Sequence, residues 1–180
     1  ITNALIYRPA TVETVGDARA LGTQSGDDQA FGNAREPIGQ AFVPAEGGEQ
    51  LFVVVNHFKS KGSAGPWPGD VDSGDGQSAS NESRVRQAAA LRDWVPTVQG
   101  EAEAVALLGD FNSYTQEDPL QVLYGAGYTD AATALDAGAY SYSYQGLSGS
   151  LDHVLLNEAA LGRATGADIW NINAGESVAL

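Results

Sequence analysis

The stretch GDFN at positions 109–112 holds a carboxylate, Asp110, and an amide, Asn112, which are two residues apart. It follows the apolar run Ala104 to Leu108, which is typical of a buried strand and which we predict to stop at Gly109. Residues two apart on extended backbone point to the same side, so Asp110 and Asn112 should face a common ligand. A carboxylate and an amide together suit a divalent cation, a water or a phosphoryl oxygen. Taken alone, the motif more often marks an ordinary turn, because Asp and Asn favour turns.

Two further predicted strands have a polar side chain near one end that could take part in catalysis. The run from Gln50 to Phe58 is rich in β-branched and aromatic residues and apolar on both faces, which predicts a central strand covered on both sides. His57 near its end could give or take a proton, although many such histidines only cap a strand edge. Asp152 lies near the start of a strand predicted from 150 to 157, and alternation places His153 on the opposite face, away from the site.

Five of the nine basic residues fall between positions 59 and 92. Lys59, Lys61 and Arg84 are expected to bind substrate if the loop and the following helix fold over the site. That helix is predicted to begin at an Asn81 N-cap and to run to about position 95. Its buried stripe would hold Val85, Ala88, Ala89 and Leu91, with Arg84, Gln87 and Arg92 as polar positions. Accidental spacing of cations along a loop and a solvated helix face remains the alternative.

The loop before this helix alternates carboxylates with glycine. Asp70, Asp72 and Asp75 partly resemble the ligands of a calcium loop. The third acidic position is shifted by one, however, and no helix precedes the loop. A solvated, mobile loop is therefore the better interpretation of positions 63–80.

The remaining pattern indicates an α/β domain. Strands are predicted at 4–7, weakly around 12–15, at 37–44 and at 167–172, and one is possible at the alternating tyrosines 140, 142 and 144. A loop is predicted over 21–33 and a short helix over 117–124, with Pro119 in its first turn. We find no internal repeat and no linker, which predicts a single domain that spans positions 1–180.

Composition excludes some classes of protein. The 180 residues carry a net charge of −14, which disfavours a generic cationic nucleic-acid binder but not an enzyme that meets phosphate through a metal ion. No stretch is long and apolar enough for a membrane span, and no signal peptide opens the chain. Cysteine is absent, so disulfides say nothing about the compartment.

Three motifs in order resemble the endonuclease/exonuclease/phosphatase superfamily, and its secreted bacterial nucleases above all. They are NHFKSKG at 56–62, GDFN at 109–112 and SLDHVLL at 150–156. The resemblance implies a four-layer α/β sandwich, with two β-sheets flanked by helices, and Mg²⁺- or Mn²⁺-dependent phosphoester hydrolysis. It implies that His57 contacts the scissile phosphate, that Asp110 orients or deprotonates the attacking water, and that Asn112 holds that water or a phosphate oxygen. Asp152 would orient a second histidine or help the metal site, with Asp110 and Asn112 as metal ligands.

The family's metal-binding Glu and its final Ser-Asp-His motif have no counterpart in the sequence. We therefore expect a domain truncated at both ends, which is inactive or nearly so by itself and which exposes sheet surface that favours a homodimer. The nuclease branch implies a secreted or cell-surface protein with a nucleic-acid substrate. A phosphatase or phospholipid phosphodiesterase of the same superfamily, or a noncatalytic module that binds Ca²⁺, remains the alternative.

Overall fold

A computed structural model describes residues 3–22, 29–138, 140–144 and 146–171. They form a six-stranded mixed sheet with helices on both faces and a separate two-stranded hairpin. The strands are β1 (Val12–Ala20), β2 (Arg35–Pro44), β3 (Leu51–His57), β4 (Ala104–Asp110), β5 (Thr129–Asp130), β6 (Tyr142–Tyr144), β7 (Leu147–Gly149) and β8 (Asp152–Leu156). The helices are α1 (Asn81–Val98), α2 (Asp118–Tyr124), α3 (Ala131–Ala134) and α4 (Glu158–Leu161).

The large sheet has the strand order β1-β2-β3-β4-β8-β5. The β3–β4 pair is parallel and the other pairs are antiparallel. Two parallel neighbours need a crossover connection, and α1 supplies it. The carboxyl ends of β3 and β4 therefore lie beside the amino end of β8, at the same end of these neighbouring strands.

One face of the sheet carries the main core. Phe52 and Val54 of β3 and Leu107 of β4 pack against Leu91 of α1 and Leu120 of α2. A smaller apolar cluster covers the start of β4 on the other face, where α3 and α4 lie. Burial along β3 accordingly alternates between buried and half-buried residues. The expected central strand is confirmed, but its second face is only partly covered.

The predicted helix forms, with differences at its start and on its buried face. Ser80, in the left-handed region at φ 62°, takes the N-cap position expected for Asn81. The buried face consists of Ser83, Arg84, Gln87, Ala88, Leu91 and Val95. Val85 and Ala89 are only half-buried. The polar face predicted at Arg84 and Gln87 is thus an interior face, because loops rather than solvent lie against it.

Two predicted strands are wrong. Residues 4–7 lie outside any strand, and Ile6 is 98% exposed because no neighbouring strand pairs with it. Residues 167–171 likewise form no strand, and position 172 lies outside the described residues. The strands at 12–15, 37–44, 50–58 and 150–157 are confirmed with shifted bounds, and so is the helix at 117–124. The tyrosine strand begins at Tyr142, and residues 23–28 of the predicted loop are not among those described.

The described part of the chain thus has a mixed α/β architecture with one large sheet, consistent with part of the α/β sandwich that the resemblance implies. None of its helices combines the length and the apolar character that a bilayer crossing requires. The homodimer through exposed sheet surface stays a prediction.

Candidate active site

Four charged or titratable side chains form one row across four adjacent strands. Arg35 of β2 pairs with His57 of β3, His57 pairs with Asp110 of β4, and Asp110 pairs with Asp152 of β8. Residues directly paired between strands project from the same face of a sheet. The three strand ends predicted to converge therefore do so, on the face opposite the main core.

The centre of the row is a histidine–carboxylate pair. The His57 Nε2 atom lies 3.7 Å from the Asp110 Oδ2 atom, and the two side chains are 34% and 33% exposed. This distance is too long for a direct hydrogen bond but suits a water that bridges the two side chains. The pair is thus accessible to a ligand and arranged to contact it from two sides.

The environment of Asp110 favours proton exchange. Burial raises the pKa of its carboxyl, and the negative charge of Asp152 raises it further. A hydrogen bond from the Asn112 N–H and the positive charges of His57 and Arg35 act in the opposite direction without cancelling the rise. A carboxylate with a raised pKa is a stronger base, which suits activation of a water molecule.

A glycine lets the two central strands approach at the site. Gly109 pairs with Asn56 and has a φ of +126°, a conformation that side chains rarely adopt. A Cβ atom there would lie 2.1 Å from the Asn56 carbonyl oxygen. The backbone of Phe58 then donates to the Asp110 carbonyl at 2.9 Å, which prolongs the pairing beyond His57. Glycine therefore fixes the spacing between the histidine and the carboxylate.

Asn112 is held differently from the prediction. It has a φ of 47°, so the extended backbone expected between it and Asp110 is wrong. Its N–H donates to Asp110 Oδ1 at 2.8 Å, and its Nδ2 group donates to the Phe58 carbonyl at 3.1 Å. The turn orients the Asp110 carboxylate, and none of the described hydrogen bonds uses the Asn112 Oδ1 atom.

The second histidine belongs to an interior network that the sequence did not reveal. His153 Nδ1 lies 2.6 Å from Asp130 Oδ2, and its Nε2 lies 2.8 Å from the Ser113 carbonyl. Both ring nitrogens face acceptors, which an imidazolium satisfies by donating from each. As predicted, His153 faces away from Asp152: it is buried while Asp152 is exposed. It ties β8 to the loop that follows Asp110.

The three basic residues that were expected to bind substrate lie in different environments. Arg84 is fully buried, and its guanidinium donates to the carbonyls of Lys59, Gln77 and Ala79. The geometry makes it a structural clamp on the loop and gives no support to its expected role as a substrate ligand. The Lys61 ammonium bonds the Glu117 carboxylate at 2.5 Å, and the Lys59 ammonium donates to oxygens of Ser60 and Ser63.

The acidic loop does not gather its carboxylates. Asp70 is fully buried and accepts from the Ser83 N–H at 2.7 Å and from the Ser83 hydroxyl at 2.6 Å. Asp72 and Asp75 are exposed and accept from backbone N–H groups within their own turns. The calcium loop is thus wrong for these three residues: Asp70 anchors the start of α1 and is turned away from the other two.

A divalent cation fits the row better than it fits the loop. Within the described ranges, no three His, Cys, Asp or Glu side chains are placed to hold a metal ion together. Asp110 and Asp152 nevertheless supply two carboxylates at paired positions. Mg²⁺ commonly takes one or two protein carboxylates and fills its remaining positions with waters and substrate phosphates. A cation there would also offset the repulsion that raises the pKa of Asp110.

Arg35 is the site residue that sequence reasoning missed. It begins β2 opposite His57, and its positive charge acts on Asp110. Nothing in its local sequence marks it, because only the antiparallel pairing of β2 with β3 brings it to the row. The local pattern is an arginine shortly before an apolar run, which is common at the starts of strands that have no catalytic role.

Comparisons with known proteins find similarity in structure only. No protein-family model matches the chain, and no curated protein does either. An endonuclease/exonuclease/phosphatase family protein from Bacteroides thetaiotaomicron matches with a TM-score of 0.59 and 14% identity, over 84% of this chain and 53% of that one. A mannosyl-6-phosphatase from the same species matches with a TM-score of 0.58 and 14% identity, over 85% and 55%. D. rerio TDP2 complexed with a single-strand DNA product matches with a TM-score of 0.55 and 14% identity, over 83% and 55%.

These matches confirm the structural resemblance to the endonuclease/exonuclease/phosphatase superfamily. At such identities they establish the fold alone. The chain spans about half the length of the structures it matches, 53–55% for these three.

Proposed function

We propose that this chain carries part of a divalent-metal-dependent phosphodiesterase that acts on nucleic acid. The observation that carries the proposal is the row of Arg35, His57, Asp110 and Asp152, with imidazole and carboxylate 3.7 Å apart at an accessible sheet edge. The superfamily fold supports the phosphoesterase class, and the particular substrate is our proposal.

The row divides the work of hydrolysis between its members. Asp110, whose carboxylate is accessible beside His57, accepts a proton from water as the water oxygen attacks phosphorus. His57, when protonated, donates to the phosphoryl oxygen or to the departing oxygen as the phosphorus–oxygen bond breaks. Arg35 adds positive charge beside both groups. Together they provide a base, an acid and a positive charge for the developing negative charge.

A divalent ion held by Asp110 and Asp152 supplies charge stabilisation for the phosphoryl oxygens when it is bound. Asp152 would then have two effects: it contributes a carboxylate, and it raises the pKa of Asp110 in the absence of the cation. Asn112 offers its side-chain oxygen from the buried turn beside them.

The test is hydrolysis by the natural polypeptide that carries residues 1–180, with Mg²⁺ or Mn²⁺. Single-stranded DNA, RNA and a sugar 6-phosphate serve as substrates. We expect His57→Ala and Asp110→Ala each to lower nucleic-acid hydrolysis by about 10²–10⁴-fold, since each removes a proton-transfer group. Asp93→Ala is the matched control, because Asp93 forms an exposed ion pair with Arg92 on α1.

Retained activity in either site variant would end the assignment of these residues. Hydrolysis of the sugar phosphate with none of either nucleic acid would replace the nuclease with a phosphatase. A chelator should abolish turnover and excess Mg²⁺ should restore it.

A further inference from the structure

A cleft of about 770 Å³ opens beside the catalytic row. Its walls include Lys61, Asn112, Tyr114, Tyr142, Tyr144 and Leu151, and we call it the tyrosine cleft. None of the four residues of the row lines the cleft, but Asn112 does, and its N–H bonds the Asp110 carboxylate. A ligand that fills the cleft therefore lies beside the turn that orients Asp110.

The outer wall of the cleft is an aromatic surface. Tyr142 and Tyr144 lie on the same side of β6, with ring centroids 6.3 Å apart and ring planes inclined by only 14°. They are 40% and 58% exposed, a large solvent-facing area for aromatic side chains. Because the two exposed rings are nearly parallel, flat ligand groups can lie against both of them in the same orientation. Successive unstacked bases of a single strand can lie against such a surface.

The hairpin that bears these rings is fixed to the site. A Cβ atom on Gly149 would lie 2.8 Å from the ring of Tyr114, so glycine allows β7 to rest directly on that ring. The Ser141 hydroxyl accepts from the N–H groups of Leu151 at 3.1 Å and Asp152 at 3.2 Å. The aromatic wall is thereby connected to the start of β8, where Asp152 enters the row.

The charge of the cleft argues for base recognition rather than phosphate recognition. Lys61 is the cation of its wall within the described residues, and Glu117 neutralises it. Asp72 also lines the cleft, and the whole chain carries a net charge of −14. A polyanion would gain little from such a wall through its phosphates. Stacking on aromatic faces does not depend on this charge.

We propose that the tyrosine cleft binds the unstacked bases of single-stranded nucleic acid, with Tyr142 and Tyr144 as stacking residues that seat the adjacent phosphodiester at the row. This inference rests on the proposed function and deepens it by naming the substrate class. It also concerns binding, which can be measured without catalysis.

The experiment measures fluorescence anisotropy of a labelled eight-nucleotide deoxyadenosine strand with the natural polypeptide that carries residues 1–180, in EDTA to prevent turnover. An abasic strand of equal length keeps every sugar and phosphate but has no bases. We expect the abasic strand, and the Tyr142→Ala and Tyr144→Ala variants with the normal strand, each to bind at least about fivefold more weakly. Tyr142→Phe keeps the ring and should keep the affinity. Tyr7→Ala, a half-exposed tyrosine against Phe42 of β2, is the matched control.

Salt dependence gives an independent readout. Because Glu117 neutralises Lys61, the logarithm of the association constant should fall against the logarithm of salt with a slope shallower than about −0.7, the value for one phosphate contact on a single strand. Equal binding of the abasic strand, unchanged binding by the Tyr→Ala variants, or no measurable binding would overturn the inference. Sugar-phosphate recognition would be shown by the first of these results.

The two proposals can fail separately. Base-dependent binding without hydrolysis by the natural polypeptide would remove the proposed enzyme and leave the cleft as a single-strand binding site. Hydrolysis without base dependence would keep the enzyme and remove the stacking role.

Discussion

Replacement of Gly109 by alanine tests how the spacing of the site is set. The added Cβ would lie 2.1 Å from the Asn56 carbonyl oxygen, whereas real Cβ atoms essentially never approach within 3.0 Å. The central pair β3–β4 must therefore separate by roughly an ångström, at a cost typical of overpacking of about 1–3 kcal/mol. The φ of +126° adds backbone strain of about 1–3 kcal/mol for a residue with a side chain. We expect Gly109→Ala to lower the free energy of unfolding by about 2–6 kcal/mol.

Gly127→Ala measures the cost of backbone strain without the steric clash. Gly127 has a φ of +91°, but its Cβ would meet nothing within 4 Å, so only strain of about 1–3 kcal/mol applies. Urea denaturation of both variants, monitored by tryptophan fluorescence, gives the difference from the shift in midpoint if the slope is unchanged. Equal destabilisation of the two variants would refute the steric argument. Where Gly109→Ala still folds, the wider gap between His57 and Asp110 should also lower hydrolysis by the natural polypeptide.

Three further perturbations have defined outcomes. Arg84→Met leaves buried carbonyl oxygens without their donor and should lower the free energy of unfolding by about 3–5 kcal/mol; wild-type stability in urea would contradict the clamp. His153→Ala leaves the Asp130 carboxylate buried without its partner and should cost about 3–5 kcal/mol at neutral pH. Burial would raise the pKa of Asp130, but the His153 hydrogen bond and charge hold it below its usual value, so this stabilisation exists above the unfolded pKa near about 4 and is lost as pH falls through the folded value. The deficit of the His153→Ala variant should therefore shrink in acid denaturation series. Asp152→Asn removes a charge that raises the pKa of Asp110, so in EDTA the Asp110 carboxyl should titrate at lower pH in an NMR titration; an unmoved titration would contradict that coupling.

The sequence predicted the strands that carry the row because their apolar runs are long and end in distinctive polar motifs. It placed His57, Asp110 and Asp152 at strand ends, and the sheet pairing then aligned them. It did not predict Arg35, because pairing between strands has no local signature.

The mistaken predictions have a common physical cause. Ile6 has strong strand propensity but no adjacent strand, and propensity alone does not form a sheet. Arg84 and Asp70 are charged residues usually found at surfaces, yet both are fully buried and hydrogen-bond to groups in and around the loop before α1. Local sequence gives residue type and period, whereas the partner groups that bury a charge come from distant parts of the chain.

The parallel pairing of β3 with β4 also bears on how the molecule folds. The two strands can join only after the long excursion through the loop and α1 has closed, so their contact is non-local and slow to form. We therefore expect the imidazole and the carboxylate on these strands to come together late in folding. A refolding intermediate with a native-like β1–β2–β3 meander would thus have no catalytic pair, and ligand binding at the row would report the final step of folding.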